Sequence, residues 1–405
     1  MHGSSRGPGL FSLSAMQRNG RRLIRAGLAV AMGLLAACSS PAQPAPEVVP
    51  APVPVAPAPV LSTAPAAPVR VAPTRTPAQL WPFTKLAGAD YVSLEAVAER
   101  YGMKLAWAKP DLERTLADAR GVRFRFEVRQ RDSYLDGVRV FLGAPVMLHK
   151  GELWIGKLDV IKTVAPLLRP EDHRVLLPDA PPRLIVLDAG HGGADPGKQN
   201  LRLKLNEKDL TLDVVLRLKK ILELRGYAVR LTRSEDVKLA PEQRADLERR
   251  AGVANEAKAD LFLSIHFNAV EPKDAARVTG TETYVLTPQF QLSSTDNTGD
   301  SLTGIAFPGN KQDTANVVLG YHLHRQMLSG LKSSDRGFKR GRLRVLCFPE
   351  CPAALLEAAY LSNDKEAARL GTPEFRQEIA EAIAEGVAAY SATLAGLRNA
   401  PPQVN

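Results

Sequence analysis

Leu184-Ile185-Val186-Leu187-Asp188-Ala189-Gly190-His191-Gly192-Gly193 decides the fold. A short, continuous apolar run reads as a strand buried on both faces. It breaks into a turn with glycines on both sides of one imidazole, and those glycines let the backbone bend sharply. Working outward, Leu210, Val214, Leu218, Ile221 and Leu222 form a helical stripe, and Ala228–Leu231 reads as a strand. Ala245–Asn255 is helical and Leu261–Ile265 is a second continuous apolar strand. Thr281–Leu286, Leu343–Leu346 and Ala353–Leu356 are further strand-type runs. Thr372-Pro373-Glu374 opens a last helix, with Thr as N-cap and Pro in the first turn. That helix buries Phe375, Ile379, Ile383, Val387 and Tyr390. Strands alternating with helices predict an α/β domain over 183–395, a mostly parallel open sheet with helices on both faces. In such sheets, sites form beyond the strand ends.

Upstream, a different pattern spans Trp81 to Arg169. Tyr91–Tyr101 has amphipathic helix spacing, with Val92, Leu94, Val97 and Tyr101 on one face. Strand-type runs follow at Met103–Trp107, Val122–Val128, Val138–Leu142, Val146–His149 and Leu153–Ile155. Lys150-Gly151 reads as the hairpin turn between the last two. The pattern predicts a small α+β domain over 81–169, joined to the larger one by a polar, proline-bearing segment, Arg169–Pro182. It resembles the module at the N-terminus of copper amine oxidases, which implies docking or spacing and no copper.

The 405 residues are 45% hydrophobic and 24% charged, a balance that excludes wholesale disorder and fibrous repeats. The net charge of +10 falls to +5 without residues 1–37, which hold five arginines and no acid. No basic stripe interleaved with aromatics remains, so nucleic acid is excluded as a partner. Arg18, Arg21, Arg22 and Arg25 precede the apolar run Ala26–Ala37, too short to span a bilayer, and residues 1–37 read as a secretory signal. Met16 is the expected start, since residues 1–15 add nothing to such a signal. Leu35-Ala36-Ala37-Cys38 resembles the lipobox of bacterial lipoproteins. That likeness implies a lipid-anchored chain on Cys38, periplasmic and sorted by Ser39 to the outer membrane. The other reading is a plain signal with an incidental cysteine. Several acyl chains on one cysteine anchor stably where a single chain is marginal. Residues 38–80 carry twelve prolines among Ala and Val and read as an extended tether or a spacer without length requirement, with a contour on the order of 130 Å.

Four residues sit where chemistry would be expected. His191 and His266 lie at strand ends, and Glu357 closes the run Ala353–Leu356. Glu207 follows Asn206, a candidate N-cap, and shares a helix face with Leu210 and Val214. An inward carboxylate is costly unless something positive meets it. Two imidazoles and one carboxylate suit zinc with an open fourth position, and a second carboxylate can carry protons. The spacing leaves a plainer reading open, in which the histidines bond to backbone and Glu207 interacts with the helix dipole.

Across 183–395, the runs LIVLDAGHGGADPG, NEKDL, VRLTRSED, RRAGVANEAKADLFLSIHFNA, GTETYVL, RGFKR and ECPAALLEAAYLSN follow in order. Together they resemble the zinc-dependent N-acetylmuramoyl-L-alanine amidases of bacterial cell walls, type 3 family. The resemblance implies Zn2+ held by His191, Glu207 and His266, with Glu357 as the catalytic acid/base. It implies hydrolysis of the bond between N-acetylmuramic acid and L-alanine in peptidoglycan, for cell-wall remodelling, and a protein activator as a partner. The chain departs from the pattern at Ala189, usually Pro, in the connection Gly197–Glu207, usually glycine-rich, and at Ala358-Ala359. None of these is a ligand position. Two alternatives remain: a non-catalytic peptidoglycan-binding lipoprotein, and zinc hydrolysis of another amide.

Other residues invite weaker readings. His322 and His324 are two apart on the probable helix Asn316–Leu331 and face different ways. Cys347 and Cys351 are either a small-loop disulfide or two free thiols. Arg336–Arg344 reads as a basic loop, either solvated or meeting carboxylates of the stem peptide. Gln289–Asp313 is polar and long enough to suggest a substrate loop or a regulatory lid, with a plain surface insertion as the alternative.

Overall fold

The computed structural model describes residues 81–399, apart from 297 and 300. The expected signal peptide, Cys38 anchor and tether lie outside the described residues. In chain order, the first strands are β1 (Thr84–Leu86), β2 (Ala89–Ser93), β3 (Lys104–Lys109), β4 (Glu113–Ala117), β5 (Arg123–Glu127) and β6 (Asp132–Leu135). Next come β7 (Val138–Phe141), β8 (Met147–His149), β9 (Glu152–Gly156), β10 (Leu184–Ala189), β11 (Gln199–Asn200) and β12 (Leu205–Asn206). The rest are β13 (Ala228–Leu231), β14 (Leu261–Asn268), β15 (Thr281–Leu286), β16 (Asp335–Gly341) and β17 (Ala353–Tyr360).

Eleven of these form one sheet in the order β13-β10-β14-β17-β15-β16-β7-β6-β5-β4-β3. From β13 to β17 the pairs are parallel, as alternating β and α units require. β15 then runs antiparallel to β17, with β16 parallel to β15 and β7 parallel to β16. From β7 to β3 the sheet is an antiparallel meander. The α/β class holds, but the sheet is mixed rather than mostly parallel.

The expected pair of separate globular segments is not what the chain builds. Phe338 of β16 pairs with Val140 of β7, and that pairing fuses the two halves into one sheet. The reason lies in β16, whose sequence Asp335-Arg336-Gly337-Phe338-Lys339-Arg340-Gly341 is charged enough to read as a loop. Its charges are absorbed rather than solvated. The ammonium of Lys339 lies 2.7 Å from Glu282, and the buried guanidinium of Arg340 donates to the Lys162 carbonyl and Thr163 Oγ1 at 2.8 and 2.9 Å. Phe338 fills the core on the face opposite Lys339, the face it shares with Arg340.

Other differences are local. Leu343–Leu346, expected as a strand, is part of a single helical turn, Arg344–Cys347. A run of four residues carries no period that separates the two. The first helix is Leu94–Tyr101, because Tyr91 and Val92 belong to β2; Ser93 Oγ accepts from Ala96 N at 3.1 Å and starts it. Lys150 and Gly151, with φ of 53° and 77°, make the expected β8–β9 turn, where two positive φ values match the twist of the strands. The last helix is Pro373–Asn399, with Phe375 N donating to Thr372 Oγ1 and the five expected side chains buried.

Candidate metal centre

β10 ends at Ala189, and His191 follows in a left-handed conformation with φ of 62°. That is an uncommon state for a residue with a side chain, so the surroundings must hold it. Two buried arginines do. Arg250 donates to the carbonyls of Ala189 and His191, both at 2.7 Å. Arg233 donates to the carbonyls of Ala189 and Gly190, both at 2.9 Å. Arg250 is neutralised by Asp188 and Asp246 at 2.9 and 2.8 Å, and all three side chains are at most 1% exposed. Two glycines are needed for close approach. A Cβ on Gly190 would lie 2.3 Å from His266 Cε1, and one on Gly197 would lie 2.6 Å from His191 Cδ2.

Glu207 is the first residue of the helix Glu207–Leu224 and is buried. Asn206 occupies the N-cap position but does not cap; its amide bonds Asp209 and Gln199 instead. The Glu207 carboxylate accepts backbone N–H bonds from Phe267 and Lys198, at 3.0 and 2.8 Å. It also meets His266 Nδ1 at 3.0 Å and His191 Nε2 at 3.1 Å. One nitrogen from each ring and one carboxylate oxygen lie within 4.8 Å of one another. The rings stand edge to face, with centroids 5.0 Å apart. His191 Nδ1 is engaged by Asp195 at 2.9 Å, which leaves Nε2 facing Glu207.

The charges are strongly coupled. Burial opposes ionisation of His191, but its bonds to Asp195 and Glu207 win and hold the imidazole up at about 10. The bond from His191 draws Asp195 down to about 2. Burial would raise Glu207, yet the two imidazoles keep its carboxyl well below the usual range.

Glu357 is level with this cluster. Its Cα pairs with His266 on one side and Glu282 on the other. Its Oε2 is buried with no hydrogen-bond partner among the described residues. Burial pushes this carboxyl well above its ordinary value, and the charges of Glu207 and Glu282 push it further. An orphaned carboxylate beside a two-imidazole, one-carboxylate donor set fits a cation better than an empty polar core.

All four expected residues therefore converge. Asp195, Arg250, Arg233 and Glu282 were not anticipated. Arg250 had a signal, since Asp246, Arg250, Val253 and Ala254 share one helical face, and a charge on a core face calls for a partner. Glu282 is an acid inside the apolar run Thr281–Leu286. The remaining histidines stay apart: His324 is buried between Thr283 and Asp335, while His322 bonds Thr393. Cys347 and Cys351 are free and buried, and burial pushes their thiols up to about 11 and about 12. The segment 289–313 is tied to the first half of the sheet. Arg131 donates to the carbonyls of Leu292 and Ser293, and Gln291 donates to Asp159.

The family described as N-acetylmuramoyl-L-alanine amidase matches residues 185–389, which include His191, Glu207, His266 and Glu357. The chain belongs to this family. Among similar amidases, AmiA of Escherichia coli K12 is 31% identical over 229 residues, which cover 51% of this chain and 76% of AmiA. AmiC of Neisseria meningitidis serogroup B is 33% identical over 228 residues, covering 51% of this chain and 52% of AmiC. The chain thus spans about half the length of the AmiC relatives it matches. The catalytic domain of the amidase CwlV from Bacillus (Paenibacillus) polymyxa var. colistinus is 31% identical, covering 51% of this chain and 97% of its own, with a TM-score of 0.41.

Proposed function

We propose that the chain is a zinc hydrolase that cleaves the amide bond between N-acetylmuramic acid and L-alanine in peptidoglycan, serving cell-wall remodelling. The observation that carries this reading is the convergence of His191, Glu207 and His266 beside the unpartnered Glu357. His191, Glu207 and His266 would hold the metal. When bound, zinc supplies Lewis-acid polarisation of the amide carbonyl and brings the pKa of water from 15.7 toward ~7. Asp195 fixes the tautomer and orientation of His191, as carboxylates commonly do behind metal-bound histidines. Glu357 takes a proton from the attacking water and returns it to the departing amine. In the same proposal, lipid on Cys38 anchors the chain in the periplasm, at the outer membrane, and residues 81–169 add docking or spacing. No helix among the described residues is long and apolar enough to cross a membrane.

The direct test is digestion of purified sacculi by the zinc-loaded full chain, with products read by mass spectrometry. Stem peptides with a free L-alanine amine are expected, and a chelator should abolish them. Uncut sacculi that still carry the protein down on sedimentation would favour the non-catalytic binder.

Metal uptake offers a second check. The bonds from Asp195 and Glu207 hold the His191 imidazole up at about 10, which favours its protonated form. A cation taking Nε2 must displace that proton, so binding should release about one proton per zinc. Calorimetry in buffers of different ionisation enthalpy measures this. Zinc binding with no proton release would mean that His191 is not a ligand.

A further inference from the structure

Between β15 and β16 the register slips. Thr281 pairs with Asp335 but Thr283 pairs with Phe338, so Arg336 and Gly337 together face Glu282. A bulge of this kind re-aims a side chain, and Gly337 supplies the positive φ of 106°. The side chain re-aimed here is Arg336, which is 39% exposed. Its Nε stands 3.8 Å from Glu282 Oε1, beyond hydrogen-bond reach.

Glu282 cannot accept more. A carboxylate offers about four acceptor sites. Glu282 already takes Lys339 Nζ at 2.7 Å, Tyr360 Oη at 2.5 Å, Tyr284 Oη at 2.7 Å and Asn268 Nδ2 at 3.0 Å. Arg336 Nε is buried with no hydrogen-bond partner among the described residues, and its guanidinium lies 5.8 Å from the centre of the Tyr360 ring. An arginine is thus held at the edge of the site by Glu282 and Tyr360, with its Nε unbonded.

Its place relative to the chemistry follows from the sheet. His266, Glu357 and Glu282 are successive cross-strand partners, and the bulge carrying Arg336 is next in that row. Arg336 is therefore about two strand spacings, ~10 Å, from Glu357 at the backbone. An extended peptide advances ~3.3–3.6 Å per residue. A carboxylate one or two residues past the scissile amide would come within reach of this side chain.

We propose that Arg336 is a specificity residue that receives a free carboxylate of the stem peptide, one or two residues beyond the bond that is cut. This rests on the amidase reading above. A guanidinium suits the task because its planar fork matches a carboxylate.

The test uses two muramoyl dipeptides that differ only in a free α-carboxylate or a carboxamide on the second residue. The zinc-loaded full chain should prefer the acid through KM. In Arg336→Ala, KM for the acid should rise about tenfold or more. KM for the amide and both kcat values should stay within about twofold of the parent. Arg336→Lys should keep part of the preference. An equal loss on both substrates, or an unchanged ratio, overturns the proposal. Calorimetry of Glu357→Gln with the same two compounds reads the preference without turnover, and adding Arg336→Ala should erase it. If the parent chain cuts neither compound, the amidase reading fails, while the calorimetry still decides the role of Arg336.

Discussion

Glu357→Gln is expected to lower hydrolysis of peptidoglycan by about 10²–10⁴-fold, the usual contribution of a positioned proton carrier. Zinc content should stay at one ion per chain, because Glu357 is not among the three converging ligand atoms. The substitution is also gentle. Glu357 Oε2 has no hydrogen-bond partner among the described residues, and Gln has the same shape, so no existing bond is lost. What is lost is the capacity to take a proton. Glu357 must be ionised to act as a base, while its burial and the charges of Glu207 and Glu282 favour the protonated form. Activity should accordingly rise with pH through its titration, and that limb should vanish in the variant. Metal analysis beside product mass spectrometry makes the measurement. A variant that binds zinc and cuts at the parent's rate would remove Glu357 from the mechanism.

Arg250→Met should cost about 3–5 kcal/mol of stability, the usual penalty for breaking a buried ion pair from one side. The guanidinium is 1% exposed and sits between Asp188 and Asp246, themselves 0% and 1% exposed. Without it, two carboxylates remain in the core, the His191 carbonyl loses its side-chain donor and the Ala189 carbonyl keeps only Arg233. Burial resists ionisation of Asp188, but Arg250, with Ser264 and Thr232, holds its carboxyl below the usual range. A depressed folded value gives stability that is present above the unfolded value of ~3.9 and lost as pH falls through the folded one. The gap between parent and variant should therefore be widest near neutral pH and narrow in acid. Adding Asp188→Asn should recover part of the loss. Denaturant unfolding at pH 7 and at a pH below ~3 checks all of this, and a variant as stable as the parent at pH 7 would contradict it. Zinc affinity should fall as well, since the left-handed turn at His191 loses one of its two clamps.

The four residues of the candidate centre were legible in the sequence because each follows an apolar run or starts a helix, although β14 and β17 run on past His266 and Glu357 to Asn268 and Tyr360. At those positions a polar side chain stands out against apolar neighbours. Asp195 was hidden for the opposite reason, lying among glycine and proline where an acid is ordinary. Arg250 and Glu282 were obscured by distance, since Asp188 for the one and Lys339 and Tyr360 for the other lie far along the chain. The parallel half of the sheet could be read from its continuous apolar runs. The joint between the halves could not, because β16 is built from cations whose neutralising partners, Glu282 among them, come from other elements. Periodicity reports which face of an element is apolar. It does not report that a charge has found its counter-charge inside.

The seam between β16 and β7 bears on how such a protein could be cut or recombined. A fragment starting near residue 183 would leave the outer backbone of Asp335–Gly341 without its neighbour, and such bare edges recruit other chains. It would also strip the carbonyl of Lys162 and the hydroxyl of Thr163 from the buried guanidinium of Arg340. Swapping the front half for an unrelated attachment is thus no matter of exchanging beads on a string. The replacement would have to offer a strand of the right direction and acceptors at the right height, so the two halves are bound to diverge together.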